Sequence, residues 1–239
     1  MKKEQYAAHA SLGIKHWWHY GTKMSFLHQV HKALHKGAYI LDAGCGVGDM
    51  MMLLKEEYRV VGIDSSEDAI KYCSKKNIGT NIIKGNISDM PFESESFDAI
   101  ISLDVLYHDW VHDDLLALCE MHRILKTGGK IFIQLPAYDW LKSSHDVWAC
   151  TSRRYTAKKL DDLFKASGFV KKKLSYRLCF LFPLAVVKRL FFKSTSSDMK
   201  EVNPIINSLL ITLISFENSI SLYLRIPFGL SVIGVAEKA

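Results

Sequence analysis

The most specific chemistry in the sequence lies in two acidic residues and a run of glycines. Asp42, Gly44, Gly46 and Gly48 are spaced DxGxGxG within ILDAGCGVGD. The apolar residues before Asp42 read as a strand, and MMMLLKEE after Gly48 reads as a helix. A chain that turns this tightly while its backbone approaches a ligand needs glycine. Dinucleotides use a similar turn, so the glycines alone do not name the ligand. Asp42 narrows the choice. A carboxylate is a poor neighbour for a pyrophosphate at a helix N-terminus, and it suits a ligand with an ammonium group. No GK[ST] follows, which excludes an ordinary P-loop. Asp64 closes the next apolar run, where a carboxylate can accept both hydroxyls of a ribose. A turn acid would occupy the same place. Ser65 and Ser66 follow too closely to be separated by sequence.

The elements that must position these residues alternate in type. YRVVGID is a strand and SSEDAIKYCSKK a helix, with Glu67 and Asp68 in its first turn. NIIKGNISD, FDAIISLDVLYH and GGKIFIQLPAY are further apolar runs. HDDLLALCEMHRILK carries Leu115, Leu118, Met121, Ile124 and Leu125 at helical spacing. Thr156 caps another helix, Gly168 closes it, and FVKKKLSYRLCF is a strand candidate. The runs are nearly continuous and rich in Ile and Val, as buried parallel strands are. The predicted fold is α/β, a doubly wound Rossmann-like sheet. Residues 1–36 form an N-terminal helical cap, 37–180 and 225–239 the core, and 181–224 an apolar, mainly helical insertion before the last strand. Ligands of such sheets sit beyond the carboxyl ends of the strands, where Asp42, Asp64, Asp89 and Asp104 fall.

These motifs resemble the class I S-adenosylmethionine-dependent methyltransferases, in the broad small-molecule, methyltransferase type 11-like branch. The likeness covers about 38–136 in order: ILDAGCGVG, GIDSS, GNISDMPFESESFD, FDAIISLDVLYH and RILKTGGKIFIQLP. It implies a seven-stranded methyltransferase sheet and S-adenosyl-L-methionine as cofactor, with S-adenosyl-L-homocysteine as product. Gly44, Cys45 and Gly46 would line the methionine part, and Asp64 with Ser65 the ribose. Asp89 would stand by the adenine amino group with Asn86 and Ile87 nearby. Leu103 and Asp104 would reach the amino or carboxylate end. The flanks HWWHYGTKMSF and SSHDVWACTSRRYT look like a narrower bacterial subgroup. Lys142–Ser143 and Cys150–Thr151 depart from that subgroup's pattern.

The acceptor side offers fewer fixed points. A donor already activated by positive charge asks the enzyme mainly to align groups and exclude water. An oxygen acceptor also asks for a base. His108 and His145 are the candidates, with Tyr107 behind them. Trp17, Trp18, Tyr20 and Tyr138 are candidates for a pocket roof, or simply pack the N-terminal helices on the sheet. Arg153 and Arg154 could clamp an acceptor carboxylate or phosphate, or else pair with Asp161 and Asp162. His28, His31 and His35 share one helix face, read as solvated; no metal site is expected. The expected reaction is methyl transfer to an amine, hydroxyl or carboxyl group of a small, partly apolar acceptor. The alternatives are a non-catalytic methyltransferase-like scaffold and a lipid, glycan or macromolecular acceptor. A nicotinamide oxidoreductase is a third class.

Composition bounds the partners. The chain has 239 residues, 49% hydrophobic and 23% charged, with a formal net charge of +6. That suits an ordered domain with anionic contacts. The basic residues are scattered, and LDVLYH replaces the [DNS]PP[YFW] of amino-directed base methyltransferases, so nucleic acid is not the expected partner. Five dispersed cysteines fit reduced thiols in a cytoplasmic protein. No signal peptide or spanning segment is expected. The insertion is expected to line an acceptor pocket, form a homodimer face, or make peripheral membrane contact through Lys188, Arg189 and Lys193.

Overall fold

A computed structural model describes residues 3–75, 81–191 and 202–239. Lys193 and most of the polar stretch between the two apolar halves of the insertion lie outside the described residues. The chain runs α1 (Lys3–Leu12), α2 (Trp17–Ala33), β1 (Tyr39–Ala43), α3 (Asp49–Leu54), β2 (Arg59–Asp64) and α4 (Glu67–Lys75). It continues with β3 (Ile82–Lys84), β4 (Phe97–Leu103), α5 (Asp114–Ile124), β5 (Leu125–Pro136) and α6 (Ser144–Trp148). Then come α7 (Ala157–Ala166), β6 (Phe169–Arg177), α8 (Phe182–Phe191), α9 (Pro204–Ser221) and β7 (Ser231–Lys238).

The strands form one seven-stranded sheet in the order β3-β2-β1-β4-β5-β7-β6. β1 to β5 pair in parallel, and β7 runs antiparallel between β5 and β6. Successive side chains alternate between two buried layers. Leu41, Ile100 and Ile133 enter one, against Leu118, Tyr155 and Phe164. Ile40, Ile101 and Phe132 enter the other, against Phe26, Met51 and Leu54. This two-sided burial is why the strands read as continuous apolar runs.

Local signals set the helix starts. Asp113 accepts from Leu116 N at 3.0 Å, and Thr156 from Lys159 N at 3.1 Å. Asn203 accepts from Ile205 N at 2.9 Å, with Pro204 in the first turn of α9. α9 packs on α2, where Gly21 leaves room for Ile214. Among the described residues no helix is long and apolar enough to cross a membrane.

Candidate functional site

β1 and β4 are neighbours, but β1 leads outward to β2 on one side while β4 leads to β5 on the other. The winding reverses at their seam, and the loops leaving their carboxyl ends diverge around a crevice. A cavity of about 290 Å³ lies there. Its walls include Asp42, Gly44, Cys45, Gly46, Asp64, Ser65, Asn86, Ile87, Leu103 and Asp104.

The glycine turn is folded onto β2. The amides of Gly44 and Cys45 donate to Ile63 O at 2.8 and 3.1 Å. Gly46 N donates to Asp64 Oδ2 at 2.9 Å, and Ser66 N to Asp64 Oδ1 at 2.9 Å. Gly44 has φ +85°, and a side chain there would strike Val105. Gly46 has φ +54°, and a Cβ there would meet nothing within 4 Å. The backbone is thus bare where a ligand would lie on it. Asp42 is buried, and its Oδ2 has no hydrogen-bond partner among the described residues. Burial raises its pKa to about 7; Asp64 and Asp49 add to the rise and Lys23 opposes it. An orphaned carboxylate oxygen beside a bare backbone fits a ligand bearing an ammonium group.

The N-terminal helices roof this cavity. Tyr6 of α1 donates to Asp64 Oδ1 at 3.2 Å. Trp18, His19, Thr22 and Lys23 of α2 also face the cavity. Lys23 Nζ lies 2.7 Å from Asp49 Oδ2, and His9 Nδ1 lies 3.1 Å from His19 Nε2. Tyr6, His9, His19, Lys23 and Asp49 were not singled out in the sequence. The signal was present: His19, Thr22 and Lys23 share one face of the helix, and polar residues facing inward need a polar site to face.

A second cavity of about 330 Å³ adjoins the first, and the two share His9, Trp18, Asp104, Tyr107 and His108 as walls. Its other walls include Trp17, His145, Trp148 and Arg154, with Leu181, Leu184 and Ala185 of the α8 region and Leu210 of α9. Both candidate bases therefore reach one chamber. Backbone pairing explains why: His108 bridges Thr151, Asp109 N donates to Cys150 O at 3.1 Å, and Ser152 N to Tyr107 O at 2.9 Å. His108 is buried, its Nδ1 has no hydrogen-bond partner among the described residues, and burial lowers its pKa to about 3.

Asp104 stands where the cavities meet, in the left-handed region at φ +58°. Burial raises its pKa to about 6, while hydrogen bonding from Gln134 and the charges of Arg177 and Arg154 oppose the rise. Gln134 Nε2 donates to Asp104 Oδ2 at 2.8 Å, and Arg177 Nη1 donates to Gln134 Oε1 at 2.6 Å. Arg177 also donates to Gly21 O at 2.6 Å and Asn218 Oδ1 at 3.2 Å, joining α2 and α9 to the sheet.

Several expectations are corrected. Tyr20 lines neither cavity. Tyr138 lines neither, because its ring stacks on Tyr176 at 5.3 Å between centroids. Asp89 is exposed in the turn after Asn86 and is not a wall of the first cavity. Arg153 and Arg154 do not form a free clamp. Arg154 is spent on Asp146, at 2.7 and 3.0 Å, and on Ala137 O at 2.9 Å. Arg153 donates to Val111 O and lies 3.7 Å from Asp114. Asp161 and Asp162 pair instead with Lys158, Lys165 and Lys171. His28, His31 and His35, by contrast, are exposed as a solvated helix face requires.

A doubly wound sheet with an acid-tipped glycine turn at its reversal point defines a nucleoside-binding α/β domain. Comparison narrows this: residues 41–133 match the family described as "Methyltransferase domain". It is 34% identical over 124 residues to the chloroplastic 2-phytyl-1,4-beta-naphthoquinone methyltransferase of Arabidopsis thaliana, covering 47% of this chain and 45% of that protein. It is 35% identical over 105 residues to demethylmenaquinone methyltransferase of Staphylococcus aureus, covering 41% and 43%. The chain spans about half, or less, of the length of the curated relatives it matches. A SAM-dependent methyltransferase from Archaeoglobus fulgidus has the same fold, with TM-score 0.61 and 18% identity over 91% of this chain and 93% of that one.

Proposed function

We propose that the chain transfers a methyl group from S-adenosylmethionine to an oxygen or nitrogen of a small, partly apolar acceptor. The observation that carries this is the pair of adjoining cavities, one built from acids and bare glycine backbone, the other mostly apolar. When bound, the cofactor supplies a methyl carbon already activated by the sulfonium charge.

Each residue then has a simple task. Asp64 accepts from the ribose hydroxyls and keeps the glycine turn in place through Gly46 N. Asp42 meets the ammonium group, whose charge holds the carboxylate ionised. Ser65, Asn86 and Ile87 border the nucleoside, and Leu103 and Asp104 border the methionine end. Trp17, Trp18 and Tyr107 wall the acceptor and keep water from the reacting atoms. His108 stays neutral and can accept a hydrogen bond at Nδ1 from an acceptor hydroxyl, orienting its oxygen. His145, also a wall of the second cavity, is the other base candidate. A neutral amine acceptor needs placement alone.

Two measurements test the reading. Calorimetry with S-adenosylhomocysteine should show binding that Asp64→Ala weakens. Incubation with a panel of phenols, carboxylic acids and amines should give a mass gain of one methyl group. Failure to bind S-adenosylhomocysteine, or binding indifferent to Asp64→Ala, would sink the proposal.

A further inference from the structure

The face of α8 and α9 carries an apolar surface that the fold itself does not use. α9 buries Ile214, Glu217, Asn218 and Ser221 on one side. On the other, Ile205 is 72% exposed, Leu209 65% and Phe216 59%. A helix at a protein–water boundary ordinarily turns polar residues outward; this outer stripe is apolar. Phe216 stacks on Phe180 at 6.2 Å between centroids, which carries the surface across to the start of α8. There Leu184 is 69% exposed and is also a wall of the second cavity, so the apolar face reaches the mouth of that cavity. A contiguous exposed apolar face marks an interaction site.

The charges select the partner. Between residues 180 and 230 the sequence carries five cations and three acids, Asp198, Glu201 and, within the described residues, Glu217. Glu217 is buried, and its carboxylate accepts from the amides of Leu178 and Phe180. The described cations of the same stretch are Lys188, Arg189 and Arg225, with Lys188 and Arg225 exposed. A second copy docking by the same face would set basic residues against basic residues. An anionic bilayer accepts both the apolar stripe and the cations.

We propose that the α8–α9 face rests on an anionic lipid bilayer and brings the mouth of the second cavity to the lipid. The proposal takes that cavity as the acceptor chamber, the reading given above. The test is sedimentation of the full chain with vesicles of phosphatidylcholine alone and of phosphatidylcholine mixed with phosphatidylglycerol. Binding is expected with the mixed vesicles and should weaken as salt is added. The double variant Ile205→Ser, Leu209→Ser, neither residue lining a cavity, should lose at least about tenfold in vesicle affinity, with its affinity for S-adenosylhomocysteine unchanged. No binding of the parent chain to mixed vesicles overturns the proposal, as does equal binding by the double variant. A dimer seen by light scattering and abolished by the same substitutions, without vesicle binding, assigns the face to a second copy and also overturns it. Failure of the parent chain to bind S-adenosylhomocysteine would strike the methyltransferase reading instead.

Discussion

Arg154 holds Asp146 with two nitrogens, Nε to Oδ1 at 2.7 Å and Nη2 to Oδ2 at 3.0 Å, both side chains buried. Asp146 also accepts from Ser143 N at 2.7 Å, so the pair fixes the start of the short helix that carries His145. Arg154→Ala leaves a buried carboxylate without its cation and should cost about 3–5 kcal/mol, read as lower thermal stability. Burial alone would raise the Asp146 pKa, but the Arg154 guanidinium and Ser143 hold it below the usual value of 3.8. Its contribution is present above that value and lost as pH falls through the lower folded one. The melting difference between the parent chain and Arg154→Ala should therefore shrink in acid.

Asp42 is held against the interest of the free fold. Its folded pKa of about 7 lies above the usual 3.8, so the carboxyl favours folding at low pH and opposes it as pH rises through about 7. Asp42→Asn should raise the melting temperature of the ligand-free protein at pH ~8, where each ~1 kcal/mol is worth roughly 2–4 °C. The same change should weaken S-adenosylhomocysteine. A variant that melts lower, or binds as tightly, contradicts this account.

Asp64 is buried and is predicted to serve both ligand and loop. Asp64→Ala should weaken S-adenosylhomocysteine by ~1–3 kcal/mol, measured by calorimetry. Tyr6→Phe removes only one hydrogen bond to that carboxylate and should have the smaller effect.

His108 is neutral throughout the ordinary pH range because burial lowers its pKa to about 3. With an oxygen acceptor, the rate profile should show no acid limb near pH ~6.5 from this residue. His108→Gln should lower kcat by more than it weakens the cofactor, since the residue walls both cavities and would orient the acceptor. The lowered value also has a stability consequence: the contribution is full above 6.5 and is lost as pH falls toward 3. Replacement by Gln should flatten the acid side of the melting curve.

Much of this was legible from the residues. Strand and helix order followed from apolar runs and from the Thr156 cap, because local chemistry dictates them. Asp42, Gly46 and Asp64 share one cavity because sequential strands deliver them to one edge of the sheet. The roles of Arg154 and Tyr138 were not legible. Both depend on side chains brought from elsewhere, Asp146 across a loop and Tyr176 from another strand, and spacing says nothing about either. The roof contacts were not legible either, since Lys23 of α2 needed Asp49 placed opposite and Tyr6 of α1 needed Asp64.

Arg177 imposes a direction on the residues that end at Asp104. A guanidinium only donates, so the oxygen of the Gln134 amide must face it. The amide's NH₂ end must then face Asp104 and fill its Oδ2 as an acceptor. Any proton on that carboxyl therefore belongs on Oδ1, which no described residue engages by a hydrogen bond. The polarity of the junction between the two chambers is written from one buried cation, two residues removed.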